Sequence, residues 1–236
     1  MFETNKGDEL MCGRFTLAAE QHQIIETFKI EKVNYIHSPR YNIAPTQNIA
    51  GVILNDGRRT LDSFYWGLLP TWAKTRKLAY STFNARSETL QSKPAFRSIF
   101  TKKRMIIIAD GFYEWSHEGK EKQPYRFKVK STEVFGFAGL YDRWQSPEGE
   151  EIQSCTIITT EPNQLTAKVH NRMPVILSED AMNLWLDPSI EDKEILQGLL
   201  KAYDPEDMYV YPVTKSVGNV RNNLSNLIEE IPLNSK

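Results

Sequence analysis

The sequence predicts an α+β fold: one domain built on a curled, barrel-like antiparallel β-sheet with helices on its flanks. Three observations carry this reading. Several runs rich in β-branched and aromatic residues punctuate the chain, their connections are short or marked by Gly and Pro, and helical spacing is confined to short segments. A length of 236 residues and 40% hydrophobic content suit one large domain or two small ones. The absence of any internal repeat or linker favours the single domain.

Taken in order, Met1 to Met11 lack a periodic apolar pattern and read as a leader or pro-segment absent from the active form, leaving 12–236 as the domain. Ala18 to Lys29 places Ile24, Ile25 and Phe28 at the spacing of a short amphipathic helix. Pro39 to Thr46 reads as a loop stiffened by prolines at both ends. From Ile49 to Gly67, two β-rich runs flank Asn55-Asp56-Gly57, a hairpin signal. Arg104–Ala109, Tyr125–Val129, Val134–Leu140 and Ile152–Thr159 are further strands, and turn residues at Glu118-Gly119-Lys120 and Pro147-Glu148-Gly149 favour antiparallel hairpins. Pro162 to Lys168 is helix-like. Glu179–Leu186 and Glu191–Ala202 are expected helices, with Asp187-Pro188-Ser189 as the break and as a cap for the second.

No apolar run approaches the roughly 18 to 20 residues that span a bilayer, and the first ten residues are polar and acidic, so the expectation is a cytosolic protein. The net charge of -1 excludes coating of nucleic acid by bulk charge. A local patch remains: between Trp72 and Arg104 lie Lys74, Arg76, Lys77, Arg86, Lys93, Arg97, Lys102, Lys103 and Arg104, against Glu88 alone. It reads either as a solvated basic face or as a nucleic-acid contact. Of the two cysteines, Cys155 sits in a β-rich stretch that suits a buried thiol. With no Cys-x-x-Cys and four scattered histidines, no zinc site, no metal and no cofactor are expected.

Met11-Cys12-Gly13-Arg14-Phe15 carries the chemistry. A chain beginning at Met11 would lose its methionine and expose Cys12 as an N-terminal residue, with an amine and a thiol on adjacent carbons. The amine condenses with an aldehyde to an imine, and the thiol closes onto the imine carbon to give a thiazolidine. An α-amine with a pKa near 7.7 to 8.0 is roughly a third neutral at pH 7.5, whereas a lysine is about 0.1% neutral. The alternative for this dipeptide is a buried strand start.

Seven segments, in order along the chain, sharpen the choice: Met11-Cys12-Gly13-Arg14-Phe15, Arg40-Tyr41-Asn42-Ile43-Ala44-Pro45-Thr46, Trp66-Gly67-Leu68-Leu69-Pro70-Thr71-Trp72, Asn84-Ala85-Arg86-Ser87-Glu88-Thr89, Ala109-Asp110-Gly111-Phe112-Tyr113-Glu114-Trp115, His170-Asn171-Arg172-Met173-Pro174 and Val217-Gly218-Asn219-Val220. With these the sequence resembles the SRAP (SOS response-associated peptidase) family, whose members crosslink to abasic sites in single-stranded DNA. The resemblance implies that Cys12 is the crosslinking cysteine, Asn84 the residue that holds it, Glu114 the acid/base and His170 the histidine beside the bound sugar. It further implies a protein that shields abasic sites during the SOS response, with single-stranded DNA as partner; a monomer with no membrane association is the expectation, although the sequence itself carries no signal of oligomeric state.

The residues supply reasons for such roles. Glu114 lies between Tyr113 and Trp115, apolar company that raises a carboxyl pKa and makes it a proton donor near neutrality. His170, at a turn before Pro174, suits proton transfer during opening of the abasic sugar. His22, His37 and His117 read as surface residues. The expected DNA-binding set is Arg14, Asn42, Pro45, Trp72, Arg86, Phe96, Arg97 and Arg172, with arginines for phosphates and Trp72, Pro45 and Phe96 as flat surfaces for bases. Trp66 reads as a core residue. Some family members carry a second aromatic where this chain has Ala73.

The eleven-residue extension must be absent for the amine to react. Either translation starts at Met11, consistent with a purine-rich ribosome-binding sequence that Lys6-Gly7-Asp8 can encode, or Cys12 with Glu114 or His170 removes the segment. Two other classes remain open: a thiol peptidase acting on other proteins, and a non-covalent reader of single-stranded or modified DNA.

Overall fold

The structure, a computed structural model, describes residues 12–116 and 122–232. The expected leader, His117 and the Glu118-Gly119-Lys120 turn lie outside the described residues. The strands in chain order are β1 (Phe15–Leu17), β2 (Lys32–Val33), β3 (Arg40–Ile43), β4 (Asn48–Asn55), β5 (Arg58–Trp66), β6 (Asn84–Arg86), β7 (Arg104–Ala109), β8 (Gly111–Trp115), β9 (Pro124–Val129), β10 (Phe135–Gln145), β11 (Glu151–Thr160), β12 (Met173–Pro174), β13 (Ile176–Leu177) and β14 (Met208–Pro212). The helices are α1 (Gln21–Phe28), α2 (Ala79–Thr82), α3 (Glu179–Leu186) and α4 (Lys193–Gly198).

The larger sheet closes on itself. Antiparallel pairing runs β5-β4-β7-β10-β11, and a parallel pairing of β11 with β5 (Ser154 with Tyr65, Cys155 with Trp66) joins the ends. Closure removes the exposed edges that an open sheet would leave for aggregation. The β4–β5 hairpin turns on Asp56 (φ 51°) and Gly57 (φ 74°), the pair of left-handed residues that a two-residue type I′ turn demands. The expectation of a curled sheet with flanking helices therefore holds.

A second sheet, ordered β14-β9-β8-β1-β3, packs beside the barrel. Phe15 on β1 joins the two layers: its ring meets Trp66 at 5.2 Å and Phe137 at 5.9 Å, both edge-on. Trp66 is fully buried and its indole N–H donates to the Phe83 carbonyl at 2.8 Å, so it is a core residue as expected. Helix α1 buries Ile24 and Phe28, and α3 buries Met182, Trp185 and Leu186, with the Trp185 indole N–H donating to the Met105 carbonyl at 3.0 Å.

Three expectations need correction. Arg40–Ile43, read as a loop, is a strand paired with β1: the prolines at 39 and 45 lie outside it and leave its N–H groups available. The last helix is shorter than 191–202, and its cap is Asp192, whose carboxylate accepts from the Glu194 and Ile195 N–H groups. Ser189 instead donates its hydroxyl to Asp187. His37 is buried, not on the surface, and burial lowers its pKa.

Strand β1 is also held by a buried charged cluster. Asp110 Oδ1 accepts from the Thr16 hydroxyl and from Arg126 Nη2 at 3.0 Å, and Asp110 Oδ2 accepts from the Ala18 and Ala19 N–H groups. Asp110→Ala leaves Arg126, only 3% exposed, without its counter-charge, and is expected to destabilise the fold by about 3–5 kcal/mol in urea titration.

Candidate active site

Position 12 lies three residues before β1, and the register of β1 with β8 decides what it meets. Phe15 pairs with Phe112, Thr16 with Gly111, and the Tyr113 N–H donates to the Arg14 carbonyl at 2.9 Å. Continuing that antiparallel register sets Glu114 against Gly13, next to Cys12. From the barrel side, β6 runs parallel to β11 with Asn84 beside Ile157, and the Asn84 side-chain N–H donates to the Cys12 carbonyl at 2.9 Å. Strand β12 pairs Met173 with Thr160 and so brings His170 to the same place.

The ligand-type atoms of Cys12, Glu114 and His170 all lie within 4.8 Å of one another, and all three residues are buried. Glu114 Oε2 is 3.8 Å from His170 Nδ1, which also accepts from the Arg172 N–H at 3.2 Å. Glu114 Oε1 is buried with no hydrogen-bond partner among the described residues. Burial pushes the Glu114 carboxyl up to about 8, opposed by its hydrogen bond with Cys12. The Cys12 thiol is raised by burial, then by the charge of Glu114 and the hydrogen bond with it. The arrangement is thus a thiol, a carboxyl that stays protonated near neutrality and an imidazole, with the main chain of Cys12 fixed by Asn84.

Asn84 meets Cys12 at its main chain, through the side-chain amide that donates to the Cys12 carbonyl. Other candidates are placed elsewhere. Arg14 donates to Asn42 Oδ1 at 2.9 Å and to the Val217 carbonyl at 2.7 Å, and lies over the Trp115 ring at 5.7 Å. Asn42 is buried and donates to the carbonyls of Val217, Asn219 and Asn222. These two residues tie β1 and β3 to the segment after β14. Phe96 is buried in the core and offers no face to a base. Arg172 forms a two-pronged pair with Glu88 at 2.9 and 3.0 Å and donates to the Thr159 carbonyl, so its charge is already matched.

Trp72 (57% exposed), Arg86 and Arg97 are on the surface, and Pro45 is half-buried. Within the basic run, Arg104 is buried and donates to the carbonyls of Trp185 and Asp187, Lys103 pairs with Asp142, and Arg76 pairs with Glu150. Lys74, Lys77, Arg86, Lys93, Arg97 and Lys102 remain as exposed cations. Ala73 is packed with Leu69, Ala79 and Trp144, whose indole N–H donates to the Ala73 carbonyl at 2.7 Å. Sequence reasoning missed Thr16, Asp110 and Arg126; the Asp110-Gly111 pair lies within Ala109–Trp115, but nothing in that segment marks Arg126 as its partner.

The description SOS response associated peptidase (SRAP) matches residues 11–220. The chain belongs to this family. It is 47% identical over 222 residues to the abasic site processing protein YoqW of Bacillus subtilis (strain 168), covering 93% of this chain and 99% of that protein. It is 33% identical to the abasic site processing protein HMCES of Xenopus tropicalis, over 85% of this chain and 68% of that protein. Among solved structures, a Bacteroides thetaiotaomicron protein superposes with a TM-score of 0.86 at 29% identity, over 94% of this chain and all of the other. Among the described residues no helix of this SRAP protein is long and apolar enough to cross a membrane.

Proposed function

We propose that this protein processes abasic sites in DNA by forming a thiazolidine between Cys12, as N-terminal residue, and the aldehyde of the abasic sugar in single-stranded DNA. The observation that carries the reading is the convergence of Cys12, Glu114 and His170, from three distant parts of the chain, within 4.8 Å. Its family relatives named as abasic site processing proteins point to the same substrate.

The neutral α-amine adds to the aldehyde carbon. Glu114, protonated, gives its proton to the hydroxyl of the carbinolamine, which leaves as water, and the N-protonated imine (iminium) forms. Glu114, now a carboxylate hydrogen-bonded to Cys12, takes the thiol proton while sulfur bonds to the imine carbon and closes the ring. One water is released and no oxidant is consumed. His170 moves the proton that opens the cyclic sugar, and Asn84 keeps residue 12 in place. The segment 1–11 is absent from the active form, and the protein acts as a cytosolic monomer.

A peptidase acting in trans is the weaker reading, because the Cys12 thiol is pushed up in pKa by burial and by a carboxylate neighbour, the reverse of an activated thiolate. The deciding experiment incubates the chain beginning at Cys12 with a single-stranded oligonucleotide carrying one abasic site, without borohydride, and resolves it on a denaturing gel. A slower band that is lost in Cys12→Ala and in the form retaining residues 1–11 supports the reading. No band with folded protein sinks it.

Trp72 and the exposed cations of the 74–102 run bind the strand. Trp72→Ala is expected to weaken affinity for undamaged single-stranded DNA by about 1–3 kcal/mol, measured by fluorescence anisotropy, while crosslinking at saturating DNA is retained.

A further inference from the structure

We propose that Cys12, Glu114 and His170, joined by the α-amine of Cys12, form a zinc site, and that bound Zn²⁺ reversibly caps the aminothiol against aldehydes. The inference rests on the reading that Cys12 is N-terminal in the active chain.

The donor set is that of zinc: sulfur, imidazole nitrogen and carboxylate oxygen, with the amine as fourth ligand. Magnesium and calcium select oxygen shells and are not suited to it. The spacing is close to what is needed. With bonds of about 2.0 to 2.3 Å, tetrahedral zinc sets its ligands roughly 3.3 to 3.7 Å apart. One ligand-type atom from each of the three side chains lies within 4.8 Å of the other two. Bringing atoms 4.8 Å apart into that range takes a contraction of about 1.1 to 1.5 Å.

Two further features favour a cation. Glu114 Oε1 is buried with no hydrogen-bond partner among the described residues, a lone pair that a metal would satisfy. The charges also balance: thiolate and carboxylate offset Zn²⁺, while amine and imidazole are neutral, so the enclosed site carries no net charge. Binding releases the thiol and carboxyl protons to solvent.

The capping role follows from ring geometry. Amine nitrogen, Cα, Cβ and sulfur chelate a metal in a five-membered ring. The thiazolidine uses the same four atoms with the aldehyde carbon as the fifth. Metal and aldehyde therefore exclude each other.

The test titrates Co²⁺, as a spectroscopic stand-in, and then Zn²⁺ into the chain beginning at Cys12, into the form retaining residues 1–11, and into Cys12→Ser and His170→Gln after thermal melts have shown each to be folded. The expected result is a thiolate-to-cobalt band with four-coordinate visible bands, abolished by Cys12→Ser. His170→Gln and the extended form each weaken binding by about 10-fold or more, at least what loss of an outer-sphere partner costs. Zinc is expected to stop crosslinking to the abasic oligonucleotide, and EDTA to restore it. Absence of the cobalt band, binding indifferent to Cys12→Ser, or crosslinking unaffected by saturating zinc overturns the proposal. Crosslinking in EDTA is scored separately: if it proceeds where metal does not bind, only the zinc cap fails. If metal binds and crosslinking in EDTA is absent, the thiazolidine reading and with it the capping role fall.

Discussion

Glu114→Gln is expected to slow thiazolidine formation by about 100-fold or more, the lower end of what a positioned general acid contributes. Glutamine keeps the shape of the side chain but has no proton to give to the departing hydroxyl. The pH profile makes the assignment specific. The amine must be neutral, so the rate rises through its pKa of about 7.7 to 8.0. The carboxyl must be protonated, so the rate falls as pH passes about 8. The result is a narrow bell centred near pH 8, whose two apparent values belong to the coupled site and not to either group alone. In Glu114→Gln the falling limb disappears and only the rise remains. Single-turnover crosslinking, measured in EDTA across pH 6 to 10, tests this; a wild-type falling limb preserved in the variant would rule out Glu114 as the acid.

The same substitution is expected to stabilise the protein at alkaline pH. The folded pKa of Glu114 is raised from 4.5 to about 8, so between those values the folded state binds more protons than the unfolded state. Stability contributed by this group is complete below pH 4.5 and is lost progressively as pH rises to about 8. A shift of this size corresponds to roughly 5 kcal/mol as an order of magnitude, lost in full above the folded pKa. Glu114→Gln has no proton to lose and escapes that decline. Urea titrations at pH 5 and pH 9 should show the variant gaining on wild type by several kcal/mol between the two. Equal pH dependence in both proteins would show that burial of this carboxyl does not govern stability.

Much of the fold was legible because the barrel strands are continuous apolar runs with turn residues between them. Arg104–Ala109 and the hairpin at Asp56-Gly57 follow from local pattern alone. The parallel seam between Cys155 and Trp66 does not, since 89 positions separate the partners in the numbering and no local signal marks the pairing. The short strands β1, β3 and β8 were equally hard to delimit, because their length is set by the register they share.

At the site, Cys12, Glu114 and His170 were readable from residue type and family resemblance, and their mutual distance was not. Arg14, Asn42 and Arg172 show the limit. A guanidinium near reactive residues looks alike in sequence whether it faces a phosphate, a carbonyl or a carboxylate. What separates the cases here is Val217 for Arg14 and Glu88 for Arg172, partners that only the folded chain supplies. Phe96 was misjudged because apolar surface for stacking and apolar surface for the core have the same composition.

The parallel seam has a consequence for the newborn protein. The ribosome delivers Cys12 early, but the barrel cannot close until β11 has emerged, and His170 follows still later. At about 5–20 residues per second, roughly ten to thirty seconds separate the first residue of the site from the last. Until His170 emerges the cysteine lacks its imidazole, so chemistry on DNA that needs the whole site awaits a nearly finished chain.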